Sequence, residues 1–202
     1  METILGIRGE DFAIVAAETT QARSIVVMKE DENKIHKINN SLVFATMGES
    51  GDTVQFTEFI SKNIALYKMR NNYELSPKEA AHFTRKNLAD YLRSRTPYQV
   101  NMMIAGYDEQ TQKSALYFID YLANSVEVKY SGQGYGAMFC QSIFDREYKN
   151  GLNPNEAYTI LEHCVKEIQK RLVINQKNFK VAIVNKDGFK WMPDINAKNI
   201  CN

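Results

Sequence analysis

A chain of 202 residues and 23.2 kDa is the size of one full domain, able to bury about 70% of its unfolded surface without a metal or disulfide staple. Hydrophobic residues at 44% and charged residues at 24% exclude a disordered or fibrous chain. With 25 basic against 24 acidic side chains, the net charge of +1 argues against a dedicated nucleic-acid binder and leaves little repulsion between molecules, as suits a subunit of an assembly.

The first fifty residues read as strands. Residues 3–7 and 12–17 flank Gly9-Glu10-Asp11, which predicts a hairpin. Residues 24–28 form a β-branched run, residues 34–38 alternate polar and apolar side chains, and residues 42–47 end at Gly48. Five short strands in succession predict one antiparallel sheet. Asp52 with Gln55 has the pattern of a capping box, and Phe56, Phe59, Ile60, Asn63, Ile64 and Tyr67 share one helical face. A second helix starts at Ser76-Pro77 with Glu79 three residues after the cap, and runs to about Ser94.

Strands return at residues 100–105, 115–121 and 126–130, followed by helices over 134–148 and 154–173. The last helix carries Ala157, Ile160, Leu161, Cys164, Val165, Ile168 and Leu172 on one stripe. Residues 179–185 and 189–191 close as a hairpin over Lys186-Asp187-Gly188. Residues 192–202 lack periodicity and read as an extended arm, so that deleting 194–202 is expected to impair assembly without unfolding the chain. No linker divides the sequence, which reads as a single domain over 1–202. Strands, two helices, strands, two helices and strands fit an α+β fold, a four-layer αββα sandwich.

Motifs for chemistry are scarce. Gly132, Gly134 and Ala137 fit GxGxxA, the dinucleotide fingerprint, but that motif needs a βαβ unit. Here Asn150-Gly151 leads directly into another helix, so a tight turn with close packing is the better reading and no cofactor is expected. His36, His82 and His163 lack metal-ligand spacing, and His163 reads as a hydrogen-bonded structural residue. Cys140, Cys164 and Cys201 are scattered, as reduced thiols in a cytoplasmic or nuclear protein are. The longest apolar run is the six residues 12–17, too short to span a membrane, and no export signal opens the chain.

Thr3-Ile4-Leu5-Gly6-Ile7 followed by Ile14-Val15-Ala16-Ala17-Glu18 resembles the opening of proteasome β-type subunits, which are hydrolases with an N-terminal nucleophile. Gly48-Glu49-Ser50-Gly51-Asp52-Thr53-Val54-Gln55-Phe56, the stretch from Tyr67 to Pro77 and Leu92-Arg93-Ser94-Arg95-Thr96-Pro97-Tyr98 are especially similar to the eukaryotic branch at the β-4 ring position. The resemblance covers nearly the whole chain, and the αββα sandwich is also the fold it implies.

Active members expose a terminal threonine as nucleophile, polarised by an aspartate and a lysine, with a glycine N–H as oxyanion donor. Matching the motifs sets Glu2 where that threonine would stand, Glu18 at the acid, Lys34 at the lysine and Gly48 at the oxyanion glycine. Ser131 matches the serine of the family's Ser-Gly pair, while Leu172 and Asn175 replace its later Asp and Ser. A lysine there can simply pair with Glu18, and a glycine can serve the turn. Met1 directly precedes Glu2, so no propeptide is expected. A carboxylate cannot act as an alkoxide-type nucleophile.

The resemblance therefore implies a silent subunit in the β-ring wall of the 20S core particle, in ATP/ubiquitin-dependent degradation in cytoplasm and nucleus. Its implied partners are β subunits of the same and facing rings, α-ring subunits and assembly chaperones, with neither nucleic acid nor membrane. The competing expectation is a threonine peptidase using Thr3 after trimming. That hydroxyl stands one residue out of register, about 3.3 Å along a strand.

Overall fold

A computed structural model describes residues 2–23, 26–174 and 176–196. The chain runs β1 (Thr3–Arg8), β2 (Phe12–Glu18), β3 (Gln21–Arg23), β4 (Val26–Lys29), β5 (Ile35–Lys37), β6 (Leu42–Gly48), α1 (Ser50–Asn71) and α2 (Pro77–Leu92). It continues through β7 (Val100–Asp108), β8 (Lys113–Ile119), β9 (Ser125–Glu127), β10 (Tyr130–Gly134), α3 (Ala137–Glu147), α4 (Pro154–Arg171), β11 (Asn178–Asn185) and β12 (Gly188–Asn196). Every pairing is antiparallel. One five-stranded sheet has the order β10-β1-β2-β11-β12 and the other β5-β6-β7-β8-β9, with β3-β4 as a separate ribbon.

Strand alternation builds three cores from these two sheets. Phe12, Ile14 and Ala16 of β2 face α3 and α4, together with Leu5, Ile7, Phe179 and Val181. Ala13, Val15 and Ala17 face the opposite sheet, where they meet Val43, Ala45, Met103 and Ala105. On the far side, Leu42, Phe44, Met102 and Ile104 meet Phe56, Ile60, Ala80 and Leu88 of α1 and α2. The layers are thus helices, sheet, sheet, helices. The central strands are covered on both faces, which is why residues 12–17 are apolar without a break. Each fully buried Phe, Leu or Ile contributes about 1.5–3 kcal/mol through burial alone.

The local start signals are mostly obeyed. Ser76 with Glu79 and Asn153 with Glu156 form complete capping boxes, each with proline in the first turn. Asp52 does not: α1 begins earlier, at Ser50, and the Asp52 carboxylate accepts the Gln99 N–H at 2.9 Å instead. Phe59 and Tyr67 lie outward, while Phe56, Ile60 and Ile64 are buried.

Four expectations are corrected. The first five strands are not one sheet, because β1-β2 and β5-β6 enter opposite layers and β3-β4 stands apart. Of the run 24–28, residues 24 and 25 lie outside the described residues. The glycine cluster is closely packed but turns only at Tyr135-Gly136: Ser131 to Gly134 belong to strand β10, paired to β1, and α3 opens only at Ala137. The strand expected over 126–130 is split, as β9 ends in one sheet and β10 starts in the other.

The fourth correction concerns the arm. Met192, Ile195 and Asn196 pair with Val181, Phe179 and Asn178, so β12 runs through Pro193 to Asn196. Pro193 has no N–H to give to a strand ladder. It is accommodated on the sheet edge, where the register shifts between Phe179 and Val181. Residues 197–202 of that arm, with Cys201, lie outside the described residues.

Candidate functional site

Four elements from two sheets converge at one end of the sandwich. Glu2 immediately precedes β1, Glu18 ends β2, Lys34 precedes β5 and Gly48 ends β6. The β1-β2 pairing and the β5-β6 pairing fix each couple, and sheet packing brings the couples together. Lys34 is held in place by its own carbonyl, which accepts the Thr46 N–H at 3.0 Å.

The Lys34 ammonium is 2.9 Å from Glu18 Oε2, 2.9 Å from Glu2 Oε1 and 2.7 Å from the Thr20 carbonyl. Three donors meet three acceptors, so the cation is saturated. The second oxygen of Glu18 accepts the Thr20 N–H, and Glu2 Oε2 accepts the Gly48 N–H at 2.9 Å. Lys34 and Glu18 side chains are 6% and 1% exposed, whereas Glu2 is 23% exposed at the cavity wall. Gly48 adopts φ +145°, and a Cβ there would stand 2.0 Å from the Gln99 carbonyl oxygen, so this turn admits no side chain.

Glu2 opens onto a cavity of about 960 Å³ shared with Gln21, Met28, Met47, Tyr135 and Met138. Chemically, the arrangement holds a carboxylate against the Gly48 backbone N–H, a donor that could otherwise stabilise an oxyanion. The lysine that could polarise a nucleophile is engaged by three acceptors.

Thr3 is fully buried, and strand alternation turns its hydroxyl to the other face of the sheet. It lies beside Gly136 and Ile168, among the helices, and Thr3 Oγ1 has no hydrogen-bond partner among the described residues.

Glu2, Glu18, Lys34 and Gly48 are therefore brought together, and Ser131 is not. Ser131 pairs with Gly6 in the middle of β1, while the residue opposite the strand start is Gly134, opposite Thr3. The motif match selected the wrong part of the glycine cluster, since β10 lay hidden in it. Gly134 has φ +91°, and a Cβ there would lie 1.9 Å from the Glu2 carbonyl oxygen. Leu172 caps α4 and packs on the helix-side core, and Asn175 lies outside the described residues.

The Thr20 carbonyl, Gln21 and the three cavity methionines were missed; a backbone acceptor and scattered methionines leave no motif. His36 bonds through Nε2 to Thr46 Oγ1 at 3.2 Å, and His163 through Nδ1 to Glu147 at 2.7 Å. Cys140 and Cys164 are buried free thiols, one on each of the packed helices α3 and α4. Among the described residues no group of three His, Cys, Asp or Glu could hold a metal, and no helix is long and apolar enough to cross a membrane.

Residues 1–184 match the Proteasome family, described as proteasome subunit. The chain belongs to this family. Its fold is that of the N-terminal nucleophile hydrolases, and the αββα layers are the family architecture. The similar relatives are β-type proteasome subunits. A probable proteasome subunit beta type-4 of Schizosaccharomyces pombe is 45% identical over 190 residues, 94% of this chain and 98% of that one. A proteasome subunit beta type-2 of Oryza sativa subsp. japonica is 45% identical over 188 residues, covering 93% and 88%. A proteasome subunit beta type-4 of Saccharomyces cerevisiae is 41% identical over 198 residues, covering 98% and 100%. Similarity at this level over whole chains makes the present protein a proteasome β-type subunit.

Proposed function

We propose that this β-type subunit is non-catalytic and serves as a structural part of the β-ring wall of the 20S proteasome core particle, at the β-4 position. The observation that carries the reading is Glu2, whose two carboxylate oxygens engage Lys34 and the Gly48 N–H. A carboxylate there supplies no hydroxyl to attack a peptide carbonyl, and it occupies the donor an oxyanion would need.

The orientation of Thr3 supports the same reading. Trimming the chain to Thr3 would leave a hydroxyl on the helix side of the sheet, away from Lys34 and Gly48. The subunit would contribute to ATP/ubiquitin-dependent protein degradation through the chamber it helps to enclose, in cytoplasm and nucleus. Its neighbours would be β subunits of its own and the facing ring and subunits of the α ring, with chaperones assisting assembly.

The test is to treat native particles containing this chain with a threonine-directed epoxyketone and read the adducts by mass spectrometry. The expected result is an unmodified chain within a particle of many similar-sized subunits. An adduct on Thr3 would overturn the proposal, and so would a chain that persists as a monomer in the native extract.

A further inference from the structure

We draw no further inference here: the strongest candidate, the apolar groove between α1 and α2 lined by Leu66, Tyr67, Leu75 and Phe83, is an open helix face, and nothing in the structure shows what covers it.

Discussion

Lys34 is the residue on which the polar end of the sandwich depends. Its three N–H bonds compensate Glu18, which is 1% exposed, as well as Glu2 and a carbonyl. Removing one partner of a buried ion pair leaves an uncompensated charge, at a cost of about 3–5 kcal/mol. Lys34→Met should therefore shift the urea midpoint far more than Glu2→Gln, whose carboxylate is partly in water. Equal, small shifts for the two would show that Glu18 finds another partner.

His36 gives a pH dependence with a definite sign. Burial pushes its imidazole below the ordinary histidine value, with the charge of Glu32 acting in the opposite direction. The unfolded chain then takes up the proton first, near pH 6.5, so stability is complete above that value and falls as the solution is acidified. Stability against denaturant is expected to fall more steeply between pH 7.5 and pH 5 in the wild type than in His36→Gln. Parallel pH profiles would remove His36 from the account.

At the level of elements, the helix starts differ in how far local sequence controls them. Ser76 and Asn153 each accept a backbone N–H of their own first turn, a purely local bond. Ser76→Ala and Asn153→Ala should each cost about 1 kcal/mol in thermal or chemical unfolding. A change within experimental error in both would mean that packing alone fixes these ends. Asp52 had the same local pattern, yet a distant amide, Gln99, competed for its carboxylate. Strand β10 shows the same override: glycine, serine and glutamine have low strand propensity, and pairing to β1 makes them a strand nonetheless. Periodicity in α4, by contrast, was legible residue by residue, since its stripe faces one apolar core.

The whole molecule revises the role of the chain's end. Ile195 is 1% exposed and packs in the helix-side core, so deleting residues 194–202 removes core and strand pairing together. That deletion is expected to lower the unfolding midpoint markedly, and Ile195→Ala alone to cost about 2–5 kcal/mol. An unchanged midpoint after the deletion would restore the reading of an arm that serves assembly and not the fold. Sequence by itself determined the layer class, the main helices, the hairpins over Gly9 and Gly188, and the set Glu2, Glu18, Lys34 and Gly48. The elements follow from short-range periodicity and turn chemistry, which need no knowledge of what lies opposite, whereas the set of four residues is what the family resemblance implies. Only tertiary structure decided which strands share a sheet, that Ser131 stands apart and that Thr3 faces the helices. It also decided that the Glu2 carboxylate closes on Lys34 and Gly48. Those facts depend on strand register and on contacts between residues tens of positions apart, and neither leaves a local trace in the chain.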